Sequence, residues 1–200
     1  MARSTSYFLV ISAAVLLPSA CILAQGPQGN AGRGEKLFNE LRCSTCHSVR
    51  GAGGASAPAL GPKAGQTYTP NTLAGSMWSH VTKMWEAMKT AGISRPKITE
   101  QQAADLFVYF GGAAGSDKPG NAAQGRKVFE AKLCASCHDD SYQAPDLTRL
   151  AGNVSAYSMV QSLWEHGEGM LARMVSRNTA WQTMTAAEMG HIIAYLNSKK

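Results

Sequence analysis

Nowhere in the 200 residues do apolar and polar side chains alternate for long enough to make a useful strand. That excludes a sheet-based domain and, with it, the βαβ setting of a thioredoxin-like redox motif. No basic run is interleaved with aromatic residues, so the sequence pI near 9.2 does not argue for nucleic acid as a partner. Disorder is excluded by a hydrophobic fraction of 44%, while 20 glycines and 8 prolines imply a good deal of loop. The length allows one ordinary domain or two small ones, and a small domain cannot build a large apolar core unaided. Cysteine is scarce, at five residues, yet four of them fall in two copies of one pattern: CSTCH at 43–47 and CASCH at 134–138.

Residues 1–24 read as a signal peptide or N-terminal anchor, with Arg3 ahead of an apolar run from Tyr7 to Leu17 and small residues around Ala20 and Ala24. Cleavage after Ala24 is one outcome. A lipid anchor on Cys21, preceded by a lipoprotein box displaced by one position, is a second. An uncleaved anchor over 7–24 is a third. Each exports the functional part, which places it in a bacterial periplasm, soluble or tethered to the membrane.

Export ordinarily turns paired cysteines into disulfides. A bridge between residues three apart closes a very small loop, gains little entropy and gives no reason for the histidine that follows. Cys-x-x-Cys-His instead attaches haem through two thioethers and sets the histidine against the iron. Cys43, Cys46, Cys134 and Cys137 are thus the covalent attachment points of two haem c groups, with His47 and His138 as proximal iron ligands. A zinc site shared by the four cysteines is the structural alternative.

The chain repeats itself. At an offset of 91, GNAGRGEKLFNELRCSTCH (29–47) lies over GNAAQGRKVFEAKLCASCH (120–138); at 86, Trp78, His80, Met84, Met88 and Tyr109 lie over Trp164, His166, Met170, Met174 and Tyr195. The first half carries extra residues at GAGG (51–54). The expected organisation is a tether at 25–28, domain 1 at 29–112, a Gly/Ser/Pro linker at 113–119 and domain 2 at 120–200, both domains hanging on flexible segments. Each is expected to be all-α, a small helical fold wrapped on its haem. A first helix spans about 32–42 (123–133 in the repeat), and a middle helix follows. A last helix is announced by capping boxes at Thr99 and Thr185. Gly34 and Gly125 let the first and last helices cross closely. His191, which has no repeat partner, reads as an exposed helix residue.

With Gly-x-x-x-Phe ahead of CxxCH, a Pro-x-Leu loop, a methionine before a final helix and a Tyr-Leu-like ending, residues 29–199 resemble class I c-type cytochromes, specifically exported two-domain dihaem bacterial ones. The resemblance implies an axial methionine opposite each histidine, a ligation that raises the potential relative to two histidines. It departs from the family in lacking a Met-Pro ligand loop. Met88 and Met174 are the preferred distal ligands, Met84 and Met170 the alternates one turn earlier, with His80 and His166 behind them; Met77 has no methionine in the repeat. The bland reading of Trp78 and Trp164 is core, and a haem-propionate contact the functional one. Pro58 and Pro145 shape a loop whose carbonyl can accept from the proximal Nδ1–H.

Domain 1 carries nine basic against five acidic residues and domain 2 eight against seven, so domain 1 is the more positive end and redox partners are expected to dock through an acidic surface. The expected function is single-electron transfer between respiratory or dehydrogenase partners, without catalysis. The alternatives are a haem peroxidase or sulfur-compound oxidoreductase with one open iron, and a dedicated cytochrome subunit of a dehydrogenase or oxidase complex; a gas sensor is weaker, because no signalling domain is attached.

Overall fold

The computed structural model describes residues 26–113, 115, 117–139, 144–149 and 153–199; the expected signal peptide or anchor at 1–24, with Cys21, lies outside them. Helix is the dominant element of the described residues; the rest is loop, the longest stretch being 54–69, with one hairpin of two-residue strands. Each half opens with a helix capped by asparagine: α1 (Ala31–Glu40) behind Asn30, whose side chain accepts from the Arg33 N–H, and α4 (Ala122–Ala131) behind Asn121, which does the same for Gln124. The last helices, α3 (Glu100–Tyr109) and α7 (Ala186–Asn197), carry the expected capping boxes, Thr99 with Gln102 and Thr185 with Glu188, each satisfying two donors that the helix leaves open. Between them run α2 (Pro70–Thr90) and α6 (Ala156–Ser176), 21 residues each. The four-residue α5 (Ala135–His138) holds the second CxxCH motif.

The first and last helices of each half cross at the glycines. A Cβ on Gly34 would run into the Asp105 carbonyl, and one on Gly125 into the carbonyl of His191. The contact brings Phe38 within 5.5 Å of Tyr109 and Phe129 within 5.5 Å of Tyr195 between ring centroids. Leu106, Tyr109, Phe110, Ile192, Tyr195 and Leu196 are all buried on the expected face.

Asp105, 2% exposed, ties this crossing in domain 1. Its carboxylate accepts the Asn30 N–H at 2.8 Å and two bonds from Arg33 at 2.7 Å. Burial alone would raise this carboxyl, but the hydrogen bonds from Arg33, Asn30 and Gln101 prevail and hold it below its ordinary value. A depressed carboxyl contributes stability that is present above its unfolded value, near 4, and is lost as the pH falls through the folded one. Asp105→Asn keeps an acceptor but removes the charge, and is expected to cost about 1–2 kcal/mol at pH 7 and to flatten the acid limb of a urea-midpoint titration.

At the equivalent place in domain 2 stands His191, and here the sequence reading is corrected: the residue is half-buried, and its Nδ1 accepts the Asn121 N–H at 3.0 Å. This position faces the start of the preceding first helix, whose N-cap N–H needs an acceptor, and an imidazole nitrogen supplies one as a carboxylate does.

Flexible suspension of the halves is also corrected. α2 packs on α6 and α7, while α6 packs on α3; exchanging the halves reproduces the set, as in a two-fold dimer. The Trp78 indole N–H donates to the Gln182 carbonyl at 2.9 Å, and that of Trp181 to the Trp78 carbonyl at 2.8 Å. The two rings stack at 5.2 Å. Ser79 Oγ both donates to the Met184 carbonyl and accepts its N–H, each at 2.9 Å. On the other side Gln161 accepts the Glu100 N–H at 2.9 Å, and Ser155 donates to the Glu100 carboxylate at 2.9 Å. Linker residue Asp117 is fastened as well, accepting the Asn71 N–H at the start of α2 at 3.1 Å. The cause lies in α2, which is apolar beyond what one face can use: Leu73 and Val81 are buried, and Trp78 and Trp85 reach Trp181 and Gly167 of domain 2.

Candidate haem-attachment sites

In both halves the residue before the first cysteine ends the first helix by taking the left-handed backbone region, Arg42 at φ 60° and Leu133 at φ 62°. Neither type favours it, at a cost of about 1 kcal/mol each. The reversal throws the chain into a tight turn in which the His47 N–H donates to the Cys43 carbonyl at 3.0 Å and the His138 N–H to that of Cys134 at 2.9 Å. Each turn therefore gathers two sulfurs and an imidazole. Nothing in the sequence flagged Arg42 or Leu133, because a strained non-glycine leaves no signature in one chain.

The proximal loops do what was expected of them. His47 Nδ1 lies 2.8 Å from the Pro58 carbonyl and His138 Nδ1 2.9 Å from that of Pro145. A carbonyl only accepts, so each Nδ1 carries the hydrogen and each Nε2 keeps a lone pair for a metal. Around His47, which is 8% exposed, the extra GAGG residues form the hairpin β1 (Ser48–Val49) and β2 (Ala52–Gly53). From its end the Gly54 N–H donates to the carbonyls of Ser44 and His47 at 2.8 and 3.1 Å, bracing the turn. Arg50, over the Tyr109 ring at 5.0 Å and bonded to its carbonyl at 2.8 Å, ties the hairpin to α3.

None of the four motif cysteines is joined in a disulfide. Burial pushes both Cys43 and Cys134 up to about 11, which suits sulfurs lying against an apolar group and opposes a thiolate-driven redox pair. Among the described residues no three His, Cys, Asp or Glu converge to hold a metal ion, so the shared zinc site is not formed. Two cysteines three apart, followed by a histidine whose Nδ1 is held by a proline carbonyl, fit covalent haem in both halves.

The distal candidates sit on the middle helices. Met84 and Met88 are half-buried one turn apart on α2 and pack on the core that also takes Cys43 and Leu60; Met170 and Met174 are half-buried on α6. The helix ends hold Met88 and Met174 identically. Ile93 and Thr179 N–H groups return to their carbonyls at 2.9 and 2.8 Å across Gly92 and Asn178, both in the left-handed region. Met77 is engaged elsewhere, its sulfur accepting the Trp164 indole N–H at 3.5 Å across the domain interface. Trp78 and Trp164 are thus interface residues whose donors are already used, and neither offers its N–H to a propionate.

The duplicated histidines part company. His80 is half-buried, and burial followed by the nearness of His47 pushes it below its ordinary value, so it is neutral at pH 7. His166 stands 74% exposed beside Glu165 on the outer face of α6, which removes it as an inward-facing ligand.

A family model described as cytochrome c matches residues 31–111, and one described as cytochrome c oxidase, cbb3-type, subunit III matches 120–196. Together they cover more than three quarters of the chain. The chain is a two-domain, class I-like c-type cytochrome. Comparison with curated proteins and with solved structures gives no significant match. The cytochrome is a haem-binding electron-transfer protein, and its donor sets lie at equivalent places in the two matched regions.

Proposed function

We propose that this cytochrome is an exported dihaem carrier passing single electrons between respiratory or dehydrogenase partners, with one haem c in each domain. The observation that carries the reading is the duplicated donor set: two cysteine sulfurs outside any disulfide and an imidazole held by a proline carbonyl, in both halves. Bound haem supplies the one-electron couple of its iron. Cys43, Cys46, Cys134 and Cys137 fix the groups covalently, His47 and His138 offer Nε2, and Met88 and Met174 close the distal positions, with Met84 and Met170 as alternates. The surplus of basic residues in domain 1 suits an acidic docking partner. The site of action is the periplasm; no helix among the described residues is long and apolar enough to cross a membrane, and a tether would come from residues 1–24.

Near-infrared absorbance of the oxidised holoprotein, calibrated against total haem, tests the ligation. A sulfur-to-iron band worth two haems is expected, falling to about half in Met88→Ala or Met174→Ala and to nothing in the double variant. A band worth one haem, with the other binding added small ligands, would overturn the closed-carrier reading in favour of an enzyme. The match of residues 120–196 to an oxidase subunit supports a second reading, a dedicated subunit of an oxidase complex. Recovery of the cytochrome in a stable oxidase complex after mild extraction would favour that reading over a free carrier.

A further inference from the structure

The hairpin of domain 1 turns on an unfavoured residue. Its two-residue loop is Arg50 and Gly51, with φ of 50° and 84°, and Val49 pairs with Ala52 across it. Two positive φ values in such a loop make the turn that asparagine, aspartate and glycine favour. Gly51 suits its place, but Arg50 pays a backbone cost there, which directs attention to its side chain. The guanidinium reaches the end of α3, where Tyr109, the last helical residue, presents a carbonyl that the helix leaves open. Nη1 donates to that carbonyl at 2.8 Å, and the charge lies 5.0 Å from the centroid of the Tyr109 ring. Helix α3 has no basic residue in its own last turn, so the cation that favours a helix C-terminus comes from the hairpin.

Domain 2 fills the same two places from the end of its own last helix. Ser198 Oγ donates to the Tyr195 carbonyl at 2.7 Å, and Lys199 Nζ stands 4.9 Å from the centroid of the Tyr195 ring. The partners that Arg50 finds in domain 1 are therefore already taken in domain 2. What Arg50 fastens is the strand next to His47. The Ser48 carbonyl accepts the Leu60 N–H at 2.8 Å, and Val49, 1% exposed, forms a bridge to Leu60. Leu60 lies two residues past Pro58, whose carbonyl takes the hydrogen of His47 Nδ1. Beyond the turn, the Gly54 N–H returns to the His47 carbonyl at 3.1 Å. The hairpin thus holds both ends of the imidazole's bond, the His47 backbone on one side and the Pro58 segment on the other.

We infer that Arg50 is a positioning residue for the domain 1 site: by clamping the hairpin to the end of α3 it fixes the His47 imidazole in one place, through a tie that α7 does not offer in domain 2. This rests on the reading that each domain holds a haem. An imidazole kept still in both oxidation states needs no rearrangement when the electron arrives or leaves.

The test compares Arg50→Asn and Arg50→Lys in the full-length holoprotein. Asparagine suits the turn better than arginine does, so a loss in that variant cannot come from the turn itself. It removes the charge and the reach to Tyr109, whereas lysine keeps both. Amide hydrogen exchange of Gly54 and Leu60, followed by NMR in the reduced protein, is expected to quicken at least about tenfold in Arg50→Asn, the scale of one hydrogen bond from a charged donor. Arg50→Lys is expected to restore wild-type exchange. In the oxidised protein the haem methyl resonances report the orientation of the axial imidazole, and one haem's set is expected to shift in Arg50→Asn while the other's stays. Unchanged exchange at Gly54 and Leu60 would overturn the tie, and methyl sets displaced alike in both haems would replace positioning with a general loosening. Haem per chain is counted by pyridine haemochrome; fewer than two in wild type would overturn the dihaem reading, and the amide comparison, which needs no iron, would then decide the tie alone.

Discussion

A chain carrying Cys43→Ala and Cys46→Ala is expected to return one haem per chain instead of two, and to lose stability in both halves. The first loss follows from size: a domain of about eighty residues buries too little apolar surface to hold itself together, and the haem supplies the missing volume. Met84, Met88, Cys43 and Leu60 all pack, half-buried, on the core. The second loss follows from α2, which belongs to domain 1 but carries Trp78 and Ser79 into domain 2. When α2 loosens, the bonds between Trp78 and Gln182, Trp181 and Trp78, and Ser79 and Met184 go with it, at about 1 kcal/mol each. For a domain of this size that is a fall of more than about 10 °C in the midpoint. The remaining Soret band follows the unfolding of domain 2 directly. A midpoint unmoved from wild type would show that the halves are energetically separate, whatever their contacts. Cys134→Ala with Cys137→Ala is the mirror experiment.

Gly34→Val should be nearly as damaging without touching any haem ligand. Its Cβ would enter the space of the Asp105 carbonyl and stand 2.6 Å from the Tyr109 Cβ, both fixed by helix α3. Neither neighbour can swing aside, so α1 must back away from α3 and open the contacts of Phe38. A cost of about 3 kcal/mol or more is expected, a large fraction of what a small domain has. An ordinary helix glycine lacks this neighbourhood. Gly32, two residues earlier in α1, would bring its Cβ no closer than 3.4 Å to the Asn30 side chain. Gly32→Ala is therefore expected to stabilise by about 0.5 kcal/mol through lower chain entropy. Urea midpoints of the two holoproteins moving in opposite directions would confirm the crossing; equal and small shifts would refute it.

Much of this was legible in the residues, for identifiable reasons. The capping boxes at Thr99 and Thr185 are local devices, complete within four residues, and the folded chain uses them as written. The crossing glycines were visible because a repeat shows the same small residue at the same place twice. The carbonyl partners of His47 and His138 followed from chemistry, since an iron-ligating imidazole needs its other nitrogen oriented. What escaped was non-local. Trp78, Trp164 and Met77 look like core or ligand residues when each half is considered alone, and only the docking of α2 on α6 and on the segment that follows it gives them partners. His191 looked idle because its counterpart is an aspartate; identical roles in the two halves are filled by an anion and an imidazole, which no residue-by-residue match detects. His80 and His166 show the converse, identical residues in unlike surroundings.

The linker also has a kinetic meaning. Two identical chains meeting through a two-fold contact would separate on dilution, because their association depends on concentration. Here the linker at 113–119, itself pinned by Asp117 to the start of α2, makes the encounter intramolecular at an effective concentration on the order of millimolar. The pairing of the domains is thereby independent of how much protein is present, and a single molecule far from any other keeps its two CxxCH turns in fixed relation.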